Sequence, residues 1–387
     1  MSDPPETLLQ ELRTLTHAER FDWHGERALV LNDAGLRDYT AVQWAAVPWY
    51  GPLEAWLRDT AVSDILINGP TREVFVVRDG AMRATGQALH SSWLDWLQTQ
   101  IAARGGAVNP AFPDIWQRAD GSATHLLEGS AERRLRFAIS RPPASPDGPS
   151  ISVRVLPARW RTLDDLIKLG VLPRRAAELL LDAVQHGVSL LIGGTTGSGK
   201  TTLSAALLQA VGEGKRVVII EVSRELPVLP NSVSMEVSLS GARFSDMVRF
   251  ALRQKPHLIV VGEARGPEAL ALLQAAATGH PGIATIHADG VQAALRNLER
   301  MACEQPDVPP TLIRSMITAT QAPLIICHIG QYGGTRQVGQ IEEVLEMGMT
   351  GGVGSRYMTN PLWSFNPHTN QVEPTNPVQA AWGRGRW

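Results

Sequence analysis

From Arg174 onward the chain alternates short apolar runs with longer helix-like stretches. The runs cover residues 188–192, 216–220, 257–261, 283–286 and 324–327. They are continuously apolar rather than alternating. That pattern predicts strands covered on both faces, as in a parallel sheet with crossover helices. Residues 336–345 alternate in polarity and predict a further strand. Beyond Thr350 the chain is rich in Gly, Pro and Asn and predicts a tail.

The first half has a different texture. Leu8, Leu9, Leu12 and Leu15 give residues 1–60 an amphipathic, helical look. Short strand-like pieces follow at Ile65-Leu66-Ile67 and 74–77, around the turn Asn68-Gly69-Pro70. A helix is predicted at 91–103 and strands at 134–140 and 151–155, with a loop at 142–148. Thr162-Leu163-Asp164-Asp165-Leu166 reads as the capped start of a short helix after a linker. The predicted division is a helical extension at 1–55, an α+β domain at 56–157, a linker at 158–175, a nucleotide domain at 176–349 and a tail at 350–387.

Length and composition fit a multi-domain globular protein: 387 residues, 44% apolar and 19% charged. The net charge of −2 argues against nucleic acid as the main substrate, and no sequence-specific nucleic-acid binding is expected. Cys303 and Cys327 are too few for a disulfide framework or a four-cysteine zinc site, and suit a reducing cytoplasm. The first ten residues lack a basic, apolar secretory pattern. No apolar run approaches the roughly 20 residues of a membrane span.

The candidate chemistry begins at Gly194-Thr195-Thr196-Gly197-Ser198-Gly199-Lys200-Thr201. This matches G-x-x-x-x-G-K-[ST] and sits between a predicted strand and a helix-like stretch beginning at Thr202. In that setting the glycines let backbone N–H groups converge on phosphate oxygens, and the helix N-terminus adds a favourable field. Lys200 reaches the outer phosphates, and Thr201 ligates Mg²⁺. Ligands of open α/β sheets bind beyond the carboxyl ends of the strands. The other ends also offer polar groups: Glu221 with Glu225, then Gly262-Glu263, then His287. Glu263 can polarise water or hold a Mg²⁺-bound water. Glu221 or Glu225 can serve as general base or orient Mg²⁺. His280 and His287 lack partners for a metal site, which leaves core packing or phosphate sensing. Arg133, Arg134, Arg136, Arg141 and Arg154 form a basic group upstream, either a solvated face or a source of charge for the transition state.

Together these motifs resemble the secretion superfamily of traffic ATPases, which drive type IV secretion and conjugation, type II secretion, and type IV or tight-adherence pili. The phosphate loop is joined by the acidic box Ile220-Glu221-Val222-Ser223-Arg224-Glu225-Leu226, the motif Val261-Gly262-Glu263-Ala264-Arg265-Gly266, and the histidine box from Thr278-Gly279-His280 to Thr285-Ile286-His287-Ala288. Weaker resemblance covers Asp64-Ile65-Leu66-Ile67-Asn68-Gly69 and the stretch from Leu295 to about Glu373.

The resemblance implies an α/β fold: a RecA-like domain with a mostly parallel sheet, preceded by a smaller α+β domain. It implies ATP and Mg²⁺ as cofactors, with nucleotide between the two domains and Arg136 and Arg154 reaching it from the first. It further implies a homohexamer on the cytoplasmic face of the inner membrane, with platform or secretion-channel proteins as partners. Val222 stands where the acidic box usually carries Asp, which gives Glu225 more weight. The lack of paired cysteines points toward the conjugative, type IV secretion and tight-adherence branch. A DNA-handling RecA-like motor and a non-hydrolysing nucleotide-binding scaffold are the alternatives.

Overall fold

The structure, a computed structural model, describes residues 53–89, 135–140, 145–157, 159–212, 214–222, 224–237, 242–319, 321–345 and 357–387, with Leu94, Leu97, Ile115, Trp116 and Pro142. The predicted N-terminal leucine helix lies outside the described residues, as do Arg133, Arg134 and Arg141. The chain divides into two compact units, Met1–Arg159 and Trp160–Trp387.

In the first unit, helix α1 (Glu54–Arg58) precedes strands β1 (Val62–Ile67), β2 (Glu73–Arg78), β3 (Ala81–Ala88), β4 (Ile115–Trp116), β5 (Leu135–Ser140) and β6 (Ser150–Val155). They form a six-stranded sheet in the order β3-β2-β1-β6-β5-β4, and every pairing is antiparallel. Ile65, Ile67, Phe137, Ile139, Ile151 and Val153 are buried, whereas alternate residues face outward. This is the one-sided wetting an antiparallel sheet permits. The sequence pattern missed β3 because this edge strand is exposed along nearly its whole length.

The second unit opens with α2 (Leu163–Lys168), where Thr162 and Asp165 form the reciprocal capping pair. It continues with α3 (Arg174–Gln185), β7 (Ser189–Gly194), α4 (Lys200–Val211), β8 (Val217–Glu221), β9 (Ser232–Glu236), α5 (Phe244–Ala251), β10 (Leu258–Ala264), α6 (Glu268–Ala277) and β11 (Gly282–His287). Helices α7 (Val291–Ala302) and α8 (Pro310–Ile317) lead to β12 (Leu324–Tyr332), β13 (Thr335–Val344), β14 (Thr359–Asn366) and β15 (Gln371–Pro374). The nine-stranded sheet runs β15-β14-β13-β12-β7-β11-β10-β8-β9. From β12 to β9 all pairings are parallel, and β13 to β15 extend the sheet antiparallel.

Successive residues of each central strand enter opposite cores. Leu190, Ile192, Val217, Ile219, Leu258, Val260, Ile325 and Cys327 pack on the face covered by α2, α3 and α4. Leu191, Val218, Ile220, Ile259, Val261, Leu324 and Ile326 pack against α5 to α8. Both faces are dry, so the runs carry no polar alternation. Each fully buried Leu, Ile or Val contributes about 1.5–3 kcal/mol relative to exposure. Burial also pushes the Cys327 thiol pKa up, leaving a packing residue. Among the described residues no helix is long and apolar enough to cross a membrane.

The segment read as a tail joins this sheet through β14 and β15 and then folds back. Glu343 on β13 is 2% exposed. Its carboxylate accepts from Asn360 Nδ2 at 2.7 Å, Gln379 N at 2.7 Å and Ala380 N at 3.2 Å. Trp387 Nε1 donates to Asp182 on α3 at 2.7 Å. Periodicity could not show this, because one buried carboxylate holds a segment of turn-forming residues. Glu343→Ala is therefore expected to cost about 3 kcal/mol through three orphaned donors. Urea unfolding checks it, and a loss below about 1 kcal/mol would show that the clamp is dispensable.

Candidate functional site

Four neighbouring strands of the second unit, β8, β10, β11 and β7, end along one edge of the sheet. At about 4.8 Å per strand, their ends span roughly 14 Å. Glu221, Gly262-Glu263, His287 and Gly194 stand at these ends.

The phosphate loop follows β7. Gly197 (φ +71°) and Gly199 (φ +106°) occupy the left-handed region that glycine adopts without strain. Gly194 is required for a different reason. A Cβ there would lie 2.4 Å from Ser198 Oγ and 2.5 Å from the Ile329 carbonyl on β12. Lys200, the first residue of α4, is 8% exposed. Its ammonium donates to the Gly194 and Thr195 carbonyls, each at 2.9 Å. Ser198 Oγ is buried and has no hydrogen-bond partner among the described residues. Thr195, Thr196 and Gly197 are exposed, and Thr201 and Thr202 are half-buried on the first turn of α4. A glycine cradle, a lysine, an orphaned hydroxyl and a helix N-terminus fit a phosphate chain, and Thr201 fits a metal ion beside it.

The two carboxylates of the acidic box have different settings. Glu221 is 3% exposed. Its Oε1 accepts from the Glu225 and Leu226 amides, both at 3.0 Å. Its Cγ would lie 3.0 Å from a Cβ at Gly262, so that glycine leaves room for it. Glu221 therefore shapes the turn that carries the half-buried Glu225.

Glu263 sits at an irregularity in β10, where the register with β11 shifts between Val261 and Ala264. Such bulges re-aim side chains. Arg265 Nε donates to Glu263 at 2.8 Å. Two supporting residues had no assigned role in the sequence reading. Thr285, 1% exposed, donates to the Gly262 carbonyl at 2.5 Å. Glu268, at the start of α6, accepts from the Arg265 amide at 2.6 Å and the Gly266 amide at 2.9 Å. The signal for Thr285 was a hydroxyl inside an apolar strand. For Glu268 it was an acid in a first helical turn.

His287 ends β11, exposed and directly beside Gly194 in the register. Asn297 on α7 donates to its carbonyl at 2.8 Å. His280 precedes β11 at the other edge of the sheet, separated from His287 by roughly 17 Å of strand. The structure therefore parts the two histidines that share a motif.

In the first unit, Arg136 and Arg154 are cross-strand partners, and Asp64 lies opposite Arg154 on its other side. All three occupy one row on the wetter face of that sheet. Among the described residues, no group of three or more His, Cys, Asp or Glu side chains is arranged to hold a metal ion.

The model of the family described as type II/IV secretion system protein matches residues 118–331. Type IV secretion system protein PtlH of Bordetella pertussis is 32% identical over 299 residues, covering 68% of this chain and 85% of that protein. A Mycobacterium tuberculosis protein, provisionally assigned to conjugal transfer, is 35% identical over 248 residues, 62% of this chain and 69% of that protein. The chain therefore belongs to the type II/IV secretion system protein family of traffic ATPases.

Among solved structures, the ATPase DotB of Legionella pneumophila aligns with TM-score 0.54 and 22% identity over 76% of this chain and 79% of that one. The pilus retraction motor PilT with bound ADP gives TM-score 0.50 and 17% identity over 84% and 83%. At these identities the likeness is one of fold: a RecA-like α/β domain behind a smaller α+β one.

Gly194→Ala is expected to destabilise the second unit by about 2–3 kcal/mol, because its Cβ meets a backbone carbonyl that cannot rotate away. Denaturant unfolding checks this, and wild-type stability would count against the tight packing described.

Proposed function

We propose that this chain is a Mg²⁺-dependent ATP hydrolase that powers secretion, conjugation or pilus assembly. It works as a homohexamer on the cytoplasmic face of the inner membrane, against platform or channel proteins. The observation that carries the reading is the convergence of Lys200, Glu221 with Glu225, Glu263 and His287 on four adjacent strand ends. Membership of the secretion family supports it.

The phosphate chain is bound by the backbone amides of Gly194, Thr195, Thr196, Gly197, Ser198, Gly199 and Lys200, with Thr202 closing the first helical turn. The Lys200 ammonium exchanges its loop carbonyls for phosphate oxygens. Mg²⁺, when bound, neutralises developing phosphate charge. Thr201 would hold it directly and Glu263 through water. Glu225 takes the proton of the attacking water, with Glu221 keeping its turn in place. His287 donates a hydrogen bond toward the terminal phosphate. Arg136 and Arg154 supply further positive charge from the α+β domain.

Lys200→Ala is expected to lower phosphate release at least 100-fold, since the lost charge is worth several kcal/mol in the transition state. Turnover within about tenfold of wild type would sink the hydrolase reading. The two glutamates separate by role. Glu225→Gln is expected to lower kcat by roughly 10²–10³, the range of a lost general base. Glu221→Gln keeps an oxygen for the amides, so its loss should be at most about tenfold. The reverse order in steady-state assays would make Glu221 the base.

A further inference from the structure

The hairpin of β12 and β13 reaches past the sheet edge on which the phosphate loop sits. β12 pairs with β7 only as far as His328 and Gly193, then continues to Tyr332. At about 3.4 Å per residue, that overhang is roughly 13 Å. Gly333 (φ +57°) and Gly334 (φ +79°) close a two-residue turn of the kind that matches the twist of the strands. Gln337, 7% exposed, donates to the Tyr332 carbonyl at 2.9 Å. The Tyr332 ring packs on Phe365 of β14 with centroids 5.4 Å apart. The hairpin is thus a braced arm rather than a loose loop.

One row of side chains on this arm follows the phosphate loop. Ile329 pairs with Val338, and Gln331 with Arg336. Directly opposed residues share a face, as do alternate residues along a strand. Ile329 and Val338 are buried in the core under α2, α3 and α4. One step further out the row turns polar, and Gln331 and Arg336 are exposed. The change falls where α4 begins. A Cβ at Gly199, the residue before α4, would lie 3.3 Å from Ile329 Cδ1 and 3.9 Å from Arg336 Cδ. The Arg336 stem therefore lies beside the phosphate loop, which keeps its guanidinium within reach of whatever the loop holds. Among the described residues that guanidinium has no ion-pair or hydrogen-bond partner.

Charge and direction together define what the guanidinium meets. The N-terminus of α4 carries the positive end of the helix, and Lys200 adds an ammonium. A further positive group beside them is favourable only with an anion among them. Glu221, Glu263 and His287 stand at the ends of β8, β10 and β11, which lie on one side of β7, whereas β12 and β13 lie on the other. A phosphate chain whose terminal group faces the carboxylates leaves its nucleoside end toward β12 and β13.

We infer that Arg336 is a nucleotide-binding residue that grips the α-phosphate, the one nearest the nucleoside. The inference rests on the nucleotide site proposed above and adds to it a residue from outside its motifs. ADP and ATP both carry that phosphate. Arg336 therefore holds substrate and product alike, and contributes to binding rather than to the chemical step.

Arg336→Met keeps the apolar stem beside Gly199 and removes the charge, whereas Arg336→Lys keeps a charge. Calorimetry of the full chain with ADP and with a non-hydrolysable ATP analogue measures the effect. Arg336→Met is expected to weaken both ligands about tenfold and to the same extent, and Arg336→Lys to stay within about threefold of wild type. The Arg336→Met deficit is expected to fall below about threefold at about 0.5 M salt, where exposed charges are screened beyond a few ångström. Unchanged affinity overturns the inference. So does a loss confined to the ATP analogue, which puts the guanidinium at the terminal phosphate. An equal, salt-independent loss in both variants puts it on the base and also overturns the inference. Neither ligand is turned over. Wild-type protein that binds ADP yet releases no phosphate from ATP therefore defeats the hydrolase reading and leaves this test intact.

Discussion

The contact of Gly194 with β12 is the constraint on which the rest of the site depends. The last residue of β7 touches the Ile329 carbonyl and the Ser198 hydroxyl so closely that no side chain fits. That approach turns the chain sharply enough for Gly197 and Gly199 to adopt positive φ and for α4 to begin at Lys200. The helix then points its N-terminus at the loop. Because β11 lies on the other side of β7, the same residue also receives the Ala288 amide. A single backbone position thus ties the phosphate loop to the strand pairings on both its flanks.

A second layer of support follows the same logic of small residues beside polar ones. Gly262 leaves room for the Glu221 side chain, Thr285 holds the Gly262 carbonyl, and Gly330 and Gly339 leave room for His328 and Tyr332. In each case a glycine brings backbone close to a buried or half-buried polar group, and Glu221, Thr285 and the His328–Tyr332 pair each make a hydrogen bond there. Buried polar groups that are satisfied rigidify their neighbourhood. The edge of the sheet therefore carries polar residues on a stiff frame, which hydrogen-bonding chemistry requires.

The fold of the second unit was largely legible, and the reason is physical. Strands buried on both faces must be continuously apolar, so 188–192, 216–220, 257–261, 283–286 and 324–327 announced themselves. Each matches an observed strand to within a few residues, apart from β12, which continues to Tyr332 and carries His328. Edge strands were not legible. The face-to-face pattern of β3 and β9 is weak, because an edge strand has one partner and little burial. Nor did composition reveal that residues 357–387 fold onto the sheet, since that depends on Glu343 and Asp182, distant in sequence.

The site divides along the same line. The sequence by itself determined which residues bear the chemistry: a loop of glycines before Lys200 and Thr201, carboxylates after apolar runs, and a histidine after another. Local spacing suffices for that, because each group lies within a few residues of its own strand end. Only the tertiary structure decided which groups share an edge. It put His287 beside Gly194 and His280 at the opposite edge, made Glu221 a support for the turn of Glu225, and set His328 behind the phosphate loop. These outcomes follow from the order in which strands pair, a property of packing between distant segments that no local pattern encodes.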